Sequence, residues 1–125
     1  MVTERKDRAV GFLKLVVARK IAEAYQTYTA PGGRHHNVHF SAGFPALRQA
    51  MEEAHAKFPD TRIDVKHVVG EGDLVAVHSH VTMEPGTPGV AVVHLFRFDE
   101  NDRIVELWDC VQPIPTDSPN ADGAF

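Results

Sequence analysis

"FPDTRIDVKHVV", residues 58–69, is the stretch in which the apolar period of the chain changes from about 3.6 to 2. Downstream of Pro59 four stretches alternate. "RIDVKHVV" at 62–69, "LVAVHSHVTM" at 74–83, "VAVVHLFRF" at 90–98 and "RIVELWDCVQ" at 103–112 all read as strands. Their connections, "GEGD", "EPGTPG" and "DEND", are short and turn-prone, which favours antiparallel neighbours. Upstream the spacing is helical. Phe44, Leu47, Met51, Ala54 and Phe58 form one stripe, Pro45 suits its first turn, and "FPD" ends it. Residues 4–29 carry a longer pattern through Val10, Leu13, Val17, Ile21, Ala24, Tyr25 and Tyr28, widened by Phe12, Leu15 and Val16. A break near Arg19–Lys20 is compatible with that pattern. "APGGR" at 30–34 reads as the stop, because proline lacks an amide proton and glycine favours turns.

Helices first and antiparallel strands second imply an α+β domain, with N-terminal helices packed on one face of a bent antiparallel sheet. The expectation is a single domain over residues 1–125, with an irregular tail from about residue 113. The middle strands are apolar on both alternating sets, Val75, Val77 and Val81 against Leu74 and Ala76. Both sheet faces are therefore expected to be covered, one by the helices and one by a second copy in a homodimer.

The totals narrow the function classes. At 43% hydrophobic and 24% charged the chain is globular, and it has no apolar run near the ~18 residues of a membrane span. "MVTERKDRAV" is charged where a secretory leader needs an apolar core, and the lone Cys110 fits a reducing compartment, so a cytoplasmic protein is expected. A net charge of −4 without a basic run argues against nucleic acid and anionic membranes as partners.

Chemistry concentrates in the histidines and one carboxylate. "HHNVH" at 35–39 follows the helix stop. There His36 is the better candidate, because Asn37 beside it can orient a ring or meet a ligand; His35 and His39 are expected to be solvated. Alternation puts His78 and His80 in one row with Leu74 and Ala76, and His94 in a row with Val92, Phe96 and Phe98. If the two rows share a face, His94 can approach His78 or His80. Imidazoles gathered in this way move protons near neutrality. They equally fit half-buried rings bonded to backbone, or a metal set of His78, His80 and His94 completed by His36 or Asp109; without HExxH or paired CxxC, no metal is the expectation. His55 and His67 read as structural. Asp109 sits in the apolar row Val105, Leu107, Val111, where an ionised carboxylate is costly to bury. It is a candidate acid–base group or, alternatively, an ion pair with Arg97. Trp108, in the opposite row with Glu106 and Cys110, is core or a pocket wall.

The order of parts, with a "Y…HHN" loop, "VVGEGDLVAVHSHV", "VVHLFRFDENDRIVELWD" and "VQPIP", resembles the SnoaL-like polyketide cyclase group of the nuclear-transport-factor-2-like superfamily. The resemblance implies a cone-shaped fold with a pocket open at one end and dimerisation through the outer sheet surface. It also implies cofactor-free acid–base catalysis, an aldol-type cyclisation or isomerisation next to a carbonyl, on a small hydrophobic substrate. Carried onto this chain, it nominates Asp109, His78, His80 and His36 as catalytic groups, and Asn37, His94, Trp108 and Phe96 as ligand contacts. A binding protein that performs no chemistry is the alternative.

Overall fold

A computed structural model describes residues 2–125. Its elements in chain order are α1 (Val2–Val17), α2 (Ile21–Tyr28), β1 (Thr29–His35), α3 (Phe44–Lys57), β2 (Arg62–Glu71), β3 (Leu74–Thr82), β4 (Val90–Phe98) and β5 (Ile104–Pro113). The long N-terminal pattern is thus two helices. Arg19 N–H donates to the Val16 carbonyl at 3.0 Å and Lys20 N–H to the Leu15 carbonyl at 2.9 Å. Arg19 adopts a φ of 64°, the left-handed turn that closes a helix and is usually made by glycine. The break lets α2 set off in a new direction while Ile21, Ala24 and Tyr25 continue the buried stripe of Ala9, Phe12, Leu13 and Val16. In α3 only Phe44 and Leu47 are fully buried; Ala54, expected in the stripe, is exposed.

The sheet runs β1-β5-β4-β3-β2. Its four long strands are antiparallel as expected, but the sheet is mixed, because β1 pairs parallel to β5 through Thr29↔Ile104, Arg34↔Glu106 and His35↔Leu107. The reading of "APGGR" as a turn is corrected here. Gly33 is buried under α3, where a Cβ would collide with the Phe44 ring, so the glycine serves close approach rather than chain reversal.

Register assigns the faces. Val75, Phe96 and Leu107 lie side by side toward the helices, as do Val77, His94 and Asp109, then Ser79, Val92 and Val111. The opposite face carries Leu74, Arg97 and Glu106, then Ala76, Leu95 and Trp108, then His78, Val93 and Cys110. Phe12 joins the two layers, edge-on to Tyr25 at 5.3 Å and to Phe96 at 5.9 Å. Arginines secure the rim: Arg5 Nε donates to Asp102 at 2.7 Å, Arg8 Nε to the Asp102 carbonyl at 2.6 Å, and Arg103 to the Gln26 and Thr29 carbonyls. Among the described residues no helix is long and apolar enough to cross a membrane.

Candidate functional site

The loop after β1 is built by one further rung of the parallel ladder, His36 N–H donating to the Leu107 carbonyl at 2.9 Å. Alternation then sends neighbouring side chains to opposite sides of the sheet. Asn37 turns to the helix-facing side, where its Nδ2 donates to Asp109 Oδ2 at 2.9 Å. Its Oδ1 accepts from His39 N–H at 3.0 Å, which fixes which end of the amide meets the carboxylate. His94 stands directly across the ladder from Asp109 and is half-buried, with Nδ1 fully enclosed and unpartnered. Burial pushes its imidazole down to about 4, against the pull of the Asp109 charge. At neutral pH His94 is therefore an uncharged ring beside a carboxylate.

Two neighbours complete this face. Phe96 is entirely buried, 6.1 Å from the His94 ring. Ser79 is wholly buried with an unpartnered Oγ. Sequence reasoning passed over Ser79; the available signal was a hydroxyl in the inward row of Val75, Val77 and Val81.

The other nominated residues lie on the outer face, so the expected single cluster is divided. His36 Nε2 donates to Glu106 Oε2 at 2.6 Å, and its ring stacks on Trp108 with centroids 4.9 Å apart and planes 11° apart. Arg97 lies over Trp108 and donates to Glu106 at 3.3 Å and to Asp73 at 2.9 Å, with Arg34 3.2 Å from Glu106. The His36 hydrogen bond, with Arg34 and Arg97, holds the Glu106 carboxyl below its ordinary range despite desolvation. Arg97 is thus committed to Glu106 and Asp73, which sets aside the alternative of an ion pair with Asp109. Trp108 is the centre of a polar stack on the outer surface, away from the helix-facing groups.

His78 and His80 also point outward. His94 pairs in register with Val77, so alternation places it on the opposite face from His78, and the set His78, His80 and His94 cannot converge on one ion. Among the described residues no three His, Cys, Asp or Glu side chains are grouped so as to hold a metal ion. His80 Nε2 donates to the Pro88 carbonyl at 2.7 Å, while His78 meets His67. Within "HHNVH" the expectation for His35 is corrected. It is buried, donates through Nε2 to the Ser41 carbonyl at 2.7 Å and accepts Asn37 N–H at Nδ1, so it holds the loop in shape. His39 is exposed, as expected.

A sizeable concavity lies elsewhere. A cleft of about 1100 Å³ opens between α2, β1 and α3, lined by Tyr25, Phe44, Arg48, Gln49, Glu52 and Arg103 among others. Of these only Tyr25 and Phe44 stand out in the sequence, and then as members of the helix stripes, because a cleft between two amphipathic helices has no local signature.

The family model described as a SnoaL-like domain matches residues 9–107. Three solved structures are similar in fold. A proposed hydroxylase, AclR from Streptomyces galilaeus, is 22% identical with a TM-score of 0.73, over 90% of this chain and 91% of that one. A proposed polyketide cyclase from Acidithiobacillus ferrooxidans is 19% identical with a TM-score of 0.68, over 86% and 87%. A nuclear-transport-factor-2-like protein of unknown function from Cytophaga hutchinsonii is 14% identical with a TM-score of 0.69, over 87% and 90%. No curated protein matches the sequence. The α+β layer of helices on a mixed sheet is the nuclear-transport-factor-2-like fold. The chain belongs to the SnoaL-like domain family.

Proposed function

We propose that this protein is a small-molecule enzyme that moves a proton at a carbon next to a carbonyl, with Asp109 as the base and no cofactor. The observation that supports this reading is the juxtaposition of Asp109 with a neutral His94 on the helix-facing surface, with Asn37 holding one carboxylate oxygen. A carboxylate fixed by one donor keeps its second oxygen for a substrate proton. A neutral imidazole alongside it can give an N–H to the enolate oxygen as charge develops. His36, His78 and His80 drop out of the set, because they sit on the other side of the sheet. The substrate is expected to be hydrophobic, since the residues surrounding Asp109 in the inner face are Val92, Phe96, Leu107 and Val111. The family membership and the similarity to a proposed polyketide cyclase are consistent with cyclisation or isomerisation.

The test is deuterium uptake at the carbon beside the carbonyl of an apolar ketone such as 2-tetralone in D2O, followed by NMR. Wild type should exceed Asp109→Asn by roughly 10²–10⁴, the usual scale of a positioned general base. Equal rates in the two proteins would remove Asp109 from the mechanism. A second reading has one observation in its favour: a cleft of about 1100 Å³ lies at α2 and α3, away from Asp109. A non-catalytic binder would hold the ketone there, shift the Tyr25 and Phe44 resonances, leave His94 unmoved and show no exchange.

A further inference from the structure

The outer face of the β2–β3 hairpin carries a feature that proton chemistry on the other face does not use. His67 and His78 are register partners across the two antiparallel strands, with Nδ1 atoms 3.0 Å apart and ring planes within 4° of each other. A local irregularity in β2 makes this pairing possible. Val65 pairs with Ser79 toward the helices, yet the next pairing is His67 with His78, so Lys66 is an extra residue. Without the bulge Lys66 would oppose His78, and His67 would be turned toward the core; bulges re-aim side chains in this way. Both strands are otherwise regular here, and Val68 opposite Val77 resumes the helix-facing row.

We propose that His67 and His78 form a two-imidazole chelate for a divalent late transition metal, copper(II) above nickel(II) and zinc(II). At 3.0 Å a single proton can lie between the two nitrogens, so one of them already offers a lone pair. Binding replaces that proton with the ion, and the displaced proton moves to the Nε2 of the same ring. Nitrogens each about 2.0 Å from one ion stand about 2.8 Å apart at a right angle and about 3.3 Å apart at the tetrahedral angle. The observed separation lies between the two, and rotation about the soft ring torsion of histidine aims both lone pairs at a common point. The remaining positions of the ion are left to solvent, since no third His, Cys, Asp or Glu joins the pair among the described residues.

The surroundings define the site further. His80, next along the same row, is held by Pro88, and the Phe125 ring leans on both His78 and His80, at 5.5 and 4.8 Å, as an apolar wall. Lys66 lies nearby, over the Phe125 ring, but its ammonium is ion-paired with Asp64 at 2.8 Å. Copper(II) heads the affinity order for nitrogen ligands, which makes it the ion of choice for the test.

The experiment is a copper(II) chloride titration of the full chain at pH 7.5 in a non-coordinating buffer, by calorimetry and by electron paramagnetic resonance. The expected result is one saturable class of sites with nitrogen hyperfine structure. Affinity should fall about a hundredfold in either His67→Gln or His78→Gln, because the second imidazole acts at high effective concentration. His94→Gln and His36→Gln should bind as wild type does. A wild-type map of paramagnetic broadening makes the outcome independent of variant folding: it should centre on His67 and His78. Broadening centred on His36 and His39, unchanged affinity in both Gln variants, or no saturable binding would each overturn the assignment. None of these outcomes bears on Asp109, so the copper test and the deuterium test fail separately.

Discussion

Single residues decide the chemistry here through which side of the sheet they meet. His94 and His78 both sit in apolar-rich strands, yet one faces a carboxylate in the interior and the other a second imidazole at the surface. The depressed His94 value has a consequence for stability. Unfolded, the ring binds a proton below about 6.5, whereas folded it resists protonation until about pH 4. Above pH 6.5 the ring is neutral in both states, and its titration adds no pH dependence. Between 6.5 and 4 the unfolded chain gains protons that the folded chain refuses, so this group alone should lower stability by about 3 kcal/mol across that window. Urea denaturation at pH 7 and pH 4.5 should show the loss in wild type and a shallower one in His94→Gln. Parallel pH curves for the two proteins would mean that the ring is better hydrated than its enclosed Nδ1 implies.

At the scale of elements, β1 is the instructive case. Proline and two glycines made residues 30–34 look like a chain reversal, and in most contexts they would be. Here the strand is tolerated because it is an edge, where a missing amide proton harms no ladder, and because α3 presses Phe44 onto Gly33. Gly33→Ala should therefore cost about 1–3 kcal/mol through the displaced Phe44 ring. The measurement is the shift in urea midpoint, with Phe44→Leu in the same background as the control: relieving the clash should recover part of the loss. The alternation of the four later strands was legible in the sequence because one face of each is buried by helices. The bulge at Lys66 was not, since Val68 and Val69 are both apolar and mask the change of phase after Val65. The same blindness to facing explains why His36, His78, His80 and Trp108 were grouped with Asp109. Row membership within a strand can be read from alternation, but the face shared between strands depends on hairpin register, and "EPGTPG" hides it.

For the whole molecule, the helix layer and the sheet share one apolar cluster, and within it Phe12 touches both Tyr25 and Phe96. It is 1% exposed. Phe12→Ala should cost about 3–5 kcal/mol, a large share of the 5–15 kcal/mol typical of a domain, and unfolding should remain a single transition in denaturant. A separate early transition of α1 and α2 would show instead that the helices form a layer of their own. The family and the α+β architecture were both accessible from the sequence, since they rest on long patterns and on the motifs between residues 68 and 109. The site was accessible only in part: Asp109 and Asn37 were nominated and meet, whereas the partnership of Asp109 with His94 depends on a register that no local motif encodes.

The arginine anchors on α1 have a bearing on how the chain is made. Arg5 reaches Asp102, 97 positions later, and Phe12 awaits Phe96. On the ribosome the first helices emerge long before these counterparts exist, with the apolar side of Phe12, Leu13 and Val16 bare to water or to a chaperone. Completion must wait until the last strand leaves the exit tunnel, after which the edge strand and the helical layer can lock together in one late step.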